Sequence, residues 1–264
     1  MKPPVPKHEK QVPAYEIHEL ARKRTDYCFA VPILNEGERI LSQLAKMQAQ
    51  APLADIVIAD GGSTDGATQT DRLRELNVRT LLVKTGPGKL GAQIRMAFDY
   101  GLAQGYKGVV LVDGNDKDDT TALPLFLAAL AQGHDFVQGS RYVPGGRAIR
   151  TPHARHFAVK LLHAPAVSIA ARHRFTDTTN GFRGYSRHLL EHERVQPLRD
   201  VFNGYELHYY LAIRAARLGL RVCEVPVTRT YPPDGSVPTK ITPFRGNLKV
   251  LRALLHACTH RFDP

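Results

Sequence analysis

Short apolar runs alternate with helix-patterned segments through the first half of the chain, and this alternation constrains the fold more than any other feature. The apolar runs are 27–33, 55–60, 79–84, 108–113 and 135–140. The segments between them carry apolar residues at helical spacing. Strands that alternate with helices in this way form βαβ units around a parallel sheet. The sequence therefore predicts an α/β/α sandwich with a mostly parallel central sheet.

Acidic side chains follow three of the predicted strands. Glu36 comes just after the first strand, Asp60 ends the second and Asp113 ends the fourth. Any one of them is also explained as a turn or helix-capping residue. Together they have a stronger meaning, because ligands of open α/β sheets bind beyond the carboxyl ends of the strands. We therefore expect a binding site at that edge of the sheet.

The stretch VVLVDGNDKDD carries four aspartates directly after its apolar run. A hard cation such as Mg²⁺ takes oxygen ligands from one or two carboxylates, and the rest from water and substrate phosphates. Asp113 meets this requirement together with either Asn115 or Asp116, so the stretch indicates either a Mg²⁺ or Mn²⁺ site or a solvated turn into the next helix. Asp118 and Asp119 are expected to cap the helix that follows.

Composition and charge narrow the classes of protein to which the chain can belong. No apolar run approaches the roughly 18–20 residues that span a bilayer, and the first residues lack the apolar core of a secretory signal. Three scattered cysteines indicate reduced thiols, so a cytoplasmic location is expected, with contact at the inner face of the membrane left open. The net charge is +11, but the basic residues form no single block, and no nucleic-acid partner is expected.

The domain organisation follows from the same patterns. Residues 1–24 are rich in Pro, Lys and Glu and are predicted to form a flexible N-terminal arm. Residues 25–240 are predicted to form the catalytic domain. Residues 241–264 carry an amphipathic pattern and are predicted to form a helix that packs on the core or lies at a membrane surface.

Seven segments add a resemblance that the periodicity alone does not supply. They read AVPILNEGERI, IVIADGGSTDGA, GPGKLGAQIRMAFDYG, VVLVDGNDKDD, FVQGSRYVPGG, TDTTNGFRGYSR and GYELHYYLAIRAARLGLRVCEVPVT. In this order and at this spacing they resemble the motifs of family-2, GT-A-fold glycosyltransferases, in particular the dolichyl- and polyprenyl-phosphate sugar transferase branch. The similarity extends from about Tyr27 to Lys240.

The resemblance implies a role for each matching residue. The residues implied in nucleotide-sugar binding are Pro32, Asn35, Glu36, Asp60, Lys89, Asp113, Gly114 and Arg141. Those implied on the acceptor side are Asn180, Gly181 and Arg183. Arg229 and Lys240 would close over the diphosphate, and Asp177 or Glu206 would act as a general base if the acceptor is a sugar hydroxyl.

The implied reaction is an inverting transfer of a sugar from a UDP- or GDP-sugar to a polyprenyl phosphate or a cell-surface glycan precursor. A divalent metal and the Arg/Lys pair would stabilise the leaving diphosphate. Gly61 and Asn115 stand where the family often has acids, which leaves open a degenerate nucleotide-sugar-binding protein. A sugar-phosphate nucleotidyltransferase and a homodimer are further alternatives.

Overall fold

The computed structural model describes residues 10–234 and 245–264. The strands are β1 (Tyr15–Glu19), β2 (Tyr27–Ile33), β3 (Asp55–Asp60), β4 (Val78–Lys84), β5 (Gly108–Leu111), β6 (Phe136–Ser140), β7 (Arg147–Ile149), β8 (Arg183–Ser186), β9 (Val222–Pro226) and β10 (Thr228–Thr230). The α-helices are α1 (Glu38–Met47), α2 (Thr70–Glu75), α3 (Leu90–Ala103), α4 (Leu123–Ala131), α5 (His153–Ala158), α6 (Ala164–Ala171), α7 (Arg187–Glu191), α8 (Glu206–Arg217) and α9 (Arg245–Cys258).

Eight strands form one sheet in the order β1-β4-β3-β2-β5-β8-β6-β9. Six of them run in the same direction, and only β1 and β8 are antiparallel to their neighbours. Helices α3, α6, α8 and α9 pack on one face of the sheet, and α1, α2 and α4 pack on the other. The predicted α/β class and mostly parallel sheet are therefore confirmed.

The central strands are apolar along their whole length because helices cover both faces of the sheet. Every residue of β3 is buried. On one face, Phe182 stacks between Phe29 and Phe126, with ring centroids 5.7 and 4.2 Å away. Complete burial of each ring stabilises the fold by about 1.5–3 kcal/mol.

Part of the predicted flexible arm belongs to the sheet. Strand β1 pairs antiparallel with β4 along its whole length. The hydroxyl of Tyr15 donates to Asp99 of α3 (2.9 Å), and the hydroxyl of Tyr100 donates to Glu19 (2.8 Å). The prediction of a loose arm is therefore wrong for residues 15–19, because an unpaired edge of β4 is available to them.

The sequence from 220 to 231, which reads as one strand, is divided between two sheets. Strand β9 continues the main sheet beside β6, whereas β10 pairs with β7 in a separate two-stranded sheet. Pro226 ends β9, and proline has no N–H with which to extend a ladder. The change of direction after Pro226 carries Arg229 away from the main sheet and toward the acidic stretch after β5.

The last helix packs on the core along one of its faces. Ala253, Leu254 and Ala257 of α9 are buried against α6 and α8. Leu248 and Leu255 lie on a different face and are exposed. Within residues 10–234 and 245–264, no helix combines the length and apolar character that crossing a bilayer requires.

Candidate functional site

A pocket of about 1010 Å³ opens at the carboxyl ends of β2, β3 and β5. Its walls come from the turns after these strands, from the start of α3, from the start of α8, and from β10 and α9. This is the sheet edge at which the sequence predicts a site, and it is where open α/β sheets bind their ligands. The pocket is large enough for a nucleotide-sized molecule.

Positive charge dominates the lining of the pocket. Its basic residues are Arg39, Lys84, Lys89, Lys117, Arg155, Arg229 and Lys249. Its acidic residues are Glu36, Asp113 and Glu206. An excess of seven cations over three carboxylates favours a polyanionic ligand, because the pocket walls concentrate the field.

Asp113 and Arg229 form the central ion pair of the pocket. Arg229 Nη2 lies 3.0 Å from Asp113 Oδ2, and Nη1 contacts Asp118. The guanidinium therefore joins two carboxylates. The pairing of Asp118 with Arg229 across an isolated antiparallel bridge fixes this geometry through the backbone as well.

The charges around Asp113 favour its ionised form. Burial by itself would raise the pKa of this carboxyl, but Arg229 and Lys117 outweigh burial and hold the pKa below its ordinary value. For Lys117, burial and the nearby Arg229 lower the pKa to about 8. Asp113 is thus a carboxylate at neutral pH, as a metal ligand or a partner of a hydroxyl must be.

Gly181 allows the chain to pass close to Asp113, and Gly114 allows it to pass close to β2. A Cβ at Gly181 would lie 2.9 Å from Asp113 Cγ, and a Cβ at Gly114 would meet the side chain of Ile33. Neither position has room for a side chain. Gly181, which the resemblance places on the acceptor side, therefore acts on the position of Asp113.

The structure separates the two residues proposed as the second metal ligand. Asn115 lines the pocket with Asp113, and its buried amide oxygen has no hydrogen-bond partner among the described residues. Asp116 instead faces α1, where it pairs with Lys46 (2.6 Å) and accepts from Ser42 (2.9 Å). The predicted role of Asp116 as a metal ligand is therefore corrected, because its carboxylate contacts Lys46 and Ser42 instead of facing the pocket.

The donor set fits a divalent cation with two protein ligands. Asp113 supplies a carboxylate and Asn115 an orphaned oxygen, and buried polar atoms without partners are rare enough to need an explanation. Mg²⁺ and Mn²⁺ complete such sites with water and phosphate oxygens. Residues 10–234 and 245–264 hold no cluster of three or more His, Cys, Asp or Glu suited to a metal.

On the β2 and β3 side, short turns are held by their own polar groups. Asp60 accepts from the backbone N–H of Ser63 (3.0 Å) and from its hydroxyl (2.6 Å). Asn35 donates its N–H to Ser63 Oγ (2.9 Å) and accepts from the N–H of Thr64 (2.8 Å). Asp60 and Asn35 thus shape this wall without lining the pocket themselves.

The glycine at position 61 has a physical explanation. A Cβ there would lie 2.9 Å from Nε2 of Gln93, whose buried side chain donates to the carbonyls of Ile33 and Ala59. Gln93 therefore fills the space into which an acid at position 61 would extend. It joins the ends of β2 and β3 by hydrogen bonds instead.

The starts of α3 and α8 meet at the opposite wall. Asn203 Oδ1 accepts from the backbone N–H of Lys89 (2.8 Å), and the Asn203 carbonyl accepts from Gly91 (3.0 Å). Glu206, the first residue of α8, accepts from the N–H of Gly204 (2.5 Å). Glu206 and Lys89 both line the pocket.

The predicted roles of Arg141 in nucleotide-sugar binding and of Asp177 as a general base require a correction. They form a buried bidentate pair, with distances of 2.7 Å from Arg141 Nε and 2.9 Å from Nη2 to the carboxylate oxygens. Asp177 also accepts from the N–H of Thr179 (3.1 Å), and its side chain is fully buried. Burial by itself would raise the pKa of Asp177, but the ion pair with Arg141 outweighs burial and holds the pKa below its ordinary value. Asp177 is therefore a poor general base, and Arg141 does not face the pocket.

Arg183 and Asn180 also hold the structure together rather than line the pocket. The guanidinium of Arg183 is buried and donates to the carbonyls of Asn180 (2.8 Å), Thr178 (2.7 Å) and His208 (2.6 Å). Asn180 donates to Asp118 Oδ1 (3.2 Å). The expected acceptor contact of Arg183 is corrected, because each of these donors is used within the fold.

About half of the predicted site residues line the pocket. The predicted residues that line the pocket are Pro32, Glu36, Lys89, Asp113, Gly114, Asn115, Glu206 and Arg229. The predicted residues that lie beside or behind it are Asn35, Asp60, Asp116, Arg141, Asp177, Asn180, Gly181 and Arg183. Lys240 lies outside the described residues.

Several charged residues of the site were not predicted from the sequence, and three of them lie around Asp113 and Arg229 or on the adjoining helix. Lys117 and Arg155 line the pocket, and Asp118 accepts a hydrogen bond from Arg229 without lining the pocket itself. Asp118 is not the helix cap it was expected to be, whereas Asp119 does accept from the N–H of Thr121 (3.1 Å). Lys117 and Asp118 are buried whereas Asp119 is exposed, a difference that three consecutive charged residues do not indicate in the sequence.

Comparisons with known proteins agree with this architecture. A family model described as glycosyl transferase family 2 matches residues 28–194. An undecaprenyl-phosphate mannosyltransferase of Micrococcus luteus is 31% identical over 204 residues, which cover 75% of this chain and 81% of the relative. A polyprenol monophosphomannose synthase of Mycolicibacterium smegmatis is 30% identical over 203 residues, which cover 76% of each chain.

Solved structures show the same fold at lower sequence identity. Glucosyl-3-phosphoglycerate synthase from Mycobacterium tuberculosis, in complex with Mn²⁺, UDP-glucose and phosphoglyceric acid, matches with a TM-score of 0.63 at 21% identity. The match covers 89% of this chain and 80% of that one. Together with the family match, it identifies the chain as a member of glycosyl transferase family 2 with the GT-A fold.

Proposed function

We propose that the protein transfers a sugar from a nucleotide-diphosphate sugar to a polyprenyl phosphate. The observation that carries the proposal is the electropositive pocket at the carboxyl edge of the sheet, with Asp113 and Arg229 paired in its lining. The donor and the acceptor are both phosphorylated, so both suit a pocket with excess positive charge. The relatives named as polyprenyl-phosphate mannosyltransferases support the choice of acceptor.

Asp113 and Asn115 are the residues that would hold Mg²⁺ or Mn²⁺ in this pocket. When bound, the cation would neutralise charge on the diphosphate of the donor. The structural relative with Mn²⁺ and UDP-glucose supports this assignment. A site with one carboxylate and one neutral oxygen leaves most coordination positions to phosphate and water.

The residues of the chain explain why a phosphate acceptor suits the pocket better than a sugar hydroxyl. A phosphate oxygen is already anionic and needs no general base to attack the sugar. Asp177 is buried and paired with Arg141, so it does not supply a base. Arg229 lines the pocket, and its guanidinium would help to stabilise the negative charge that develops on the leaving diphosphate. Glu206 is the remaining carboxylate for a hydroxyl acceptor.

Access to a lipid acceptor would come through the helices beside the pocket. Seven of the twelve large apolar side chains that are exposed in the described residues lie between 153 and 171 or on α9. They are Phe157, Leu161, Leu162, Ile169, Leu248, Leu251 and Leu255. Exposed apolar side chains gathered on adjoining elements are typical of an interaction surface.

The charges on these helices indicate which kind of surface the exposed apolar side chains would bind. The segments 153–175 and 245–258 contain no Asp or Glu, and their exposed polar residues include Lys160, Lys249 and Arg252. Apolar residues combined with basic residues match a bilayer with anionic headgroups. Arg155 and Lys249 also line the pocket, which would bring the headgroup of a membrane lipid close to Asp113. The protein is therefore proposed to bind the inner face of the membrane peripherally.

Vesicle sedimentation tests this contact. Wild-type protein should sediment with vesicles that contain phosphatidylglycerol, and much less with vesicles of phosphatidylcholine alone. Replacing Leu161 and Leu248 with Ser should release it, whereas Leu125→Ser, at an exposed position on α4, should not. Equal sedimentation of both variants and wild type would contradict the assignment of this surface.

The transfer reaction is tested with a panel of UDP- and GDP-sugars, undecaprenyl phosphate and Mn²⁺. The expected result is release of nucleoside diphosphate together with a lipid-linked sugar, for one donor of the panel. Nucleotide binding without turnover of any donor would instead identify a degenerate binding protein. Absence of both binding and turnover would refute the proposed function.

A further inference from the structure

Lys117 is a cation inside the pocket that neither the sequence motifs nor the mechanism above uses. It lines the pocket with Asp113 and Asn115, yet only 5% of its surface is exposed. Its ammonium lies 5.1 Å from the ring centroid of Tyr231. A lysine in this position is held against an aromatic face instead of extending into bulk water.

The backbone at Lys117 and just after it is paired with β10. The carbonyl of Lys117 accepts from the N–H of Thr230 (2.8 Å), and the N–H of Asp119 donates to the carbonyl of Thr228 (2.9 Å). Lys117 and Arg229 therefore stand on two paired segments. Side chains on paired strands hold their positions more closely than side chains on loops.

Arg229 offers a diphosphate only part of its charge. Its two terminal nitrogens bind Asp113 and Asp118, so the guanidinium is shared between two carboxylates. A cation would also be held weakly here, because Asn115 is neutral and Asp116 faces Lys46. A diphosphate in this pocket therefore meets less positive charge from Arg229, and a cation would occupy the metal site less readily than a site with two acidic ligands.

We propose that the ammonium of Lys117 binds the diphosphate of the donor directly, so that the pocket holds a nucleoside diphosphate without a divalent cation. The proposal rests on the proposed function, since it concerns the same donor. An ammonium group offers three N–H donors and suits phosphate oxygens as a point charge. The burial of Lys117 strengthens this attraction, because the surrounding dielectric is lower than in water.

Calorimetric titration in EDTA tests the proposal without any turnover. GDP and UDP are titrated into the full-length protein, with GMP and UMP as comparison ligands. Wild type should bind one of the diphosphates more tightly than the matching monophosphate. Lys117→Gln should weaken diphosphate binding by roughly 10- to 100-fold, as expected for loss of a hydrogen bond to a charged group.

Three further variants separate a binding role from a structural one. Lys117→Arg keeps the charge and should retain most of the affinity. Lys107 comes directly before the first residue of β5, at the end of the strand away from the pocket, and pairs with Asp26. Lys107→Gln should therefore leave diphosphate binding unchanged. Lys117→Met keeps the length of the side chain and replaces the Gln variant if that variant does not fold.

The outcomes distinguish this proposal from the proposed function. Diphosphate binding that requires Mn²⁺, or that is as tight in a folded Lys117→Gln variant as in wild type, overturns the role of Lys117 and leaves the proposed function intact. Failure of both diphosphates to bind with or without Mn²⁺ overturns both.

Discussion

The backbone of Gly181 lies directly against the carboxylate of Asp113. A Cβ at position 181 would come within 2.9 Å of Asp113 Cγ and 3.1 Å of Oδ2, which real Cβ atoms do not tolerate without movement. A residue just before β8 thus limits where the carboxylate just after β5 can lie. Because Asp113 also pairs with Arg229, displacement of the carboxylate would disturb the whole centre of the pocket.

Gly181→Ala should therefore lower sugar transfer while the fold persists. A misplacement of a catalytic group by about 1 Å costs on the order of 100-fold in rate, and we expect a loss of this size. Gly184→Ala is the matched control, because a Cβ at position 184 would meet side chains at 3.3 Å or more. Steady-state rates and far-UV circular dichroism of the two variants check the expectation. Equal activity of Gly181→Ala and wild type would show that Asp113 is not constrained in this way.

Asp177 is expected to matter for stability more than for catalysis. Asp177 forms a buried ion pair with Arg141, so removal of the carboxylate leaves the buried guanidinium of Arg141 without its counter-charge. Breaking one side of such a pair costs about 3–5 kcal/mol, so Asp177→Asn should lower the free energy of unfolding by roughly this amount. Urea unfolding measures the loss. The folded fraction of the variant should keep its turnover number, and a folded but inactive variant would restore Asp177 as a base.

The same pair predicts how stability changes with pH. Arg141 holds the pKa of Asp177 below its ordinary value despite burial, so the pair stabilises the fold above the unfolded pKa of about 4. This contribution is lost as the pH falls through the folded pKa. Burial raises the pKa of the neighbouring Glu224, which gives the opposite slope. Urea unfolding of wild type and Asp177→Asn between pH 7 and pH 3 should therefore show a smaller acid loss for the variant. Parallel curves would contradict the pairing.

Substitutions at Asn115 and Asp116, the two candidates for the second metal ligand, should change Mn²⁺ affinity differently. Asn115→Asp adds a carboxylate beside Asp113 and should tighten Mn²⁺ binding by roughly 10-fold, since charge on the ligands sets affinity. Asp116→Asn should leave Mn²⁺ binding unchanged, because the carboxylate of Asp116 contacts Lys46 and Ser42. Calorimetric titration of Mn²⁺ in the presence of nucleoside diphosphate measures both. A weaker Mn²⁺ site in Asp116→Asn would return Asp116 to the metal.

Much of the fold could be predicted because its central strands are buried on both faces. The boundaries of β2 and β3 match the apolar runs at 27–33 and 55–60 residue for residue. Strand β8 was missed because its residues are Arg, Gly, Tyr and Ser, a polar and turn-rich composition. Its position between β5 and β6 is decided by tertiary contacts, which override local propensity.

The site was harder to predict because its charges are paired over long distances in sequence. Asp113 and Arg229 are 116 positions apart, and Arg141 and Asp177 are 36 apart. Motif similarity identifies these residues but does not show which charge faces the pocket and which faces another charge. Only the folded chain shows that Arg141 and Asp177 satisfy each other, whereas Lys117 reaches the pocket.

Asp113, which pairs with Arg229 and would hold the cation, is the residue on which the proposed transfer depends most. The most direct measurement compares lipid-linked sugar formation by wild type, Asp113→Asn and Asp119→Ala. Asp113→Asn keeps the shape of the side chain but removes the charge that faces Arg229, and should lower the rate by on the order of 100-fold or more. Asp119→Ala removes only a capping hydrogen bond, at about 1 kcal/mol of stability, and should transfer sugar at the wild-type rate. Full activity of a folded Asp113→Asn variant would contradict the account.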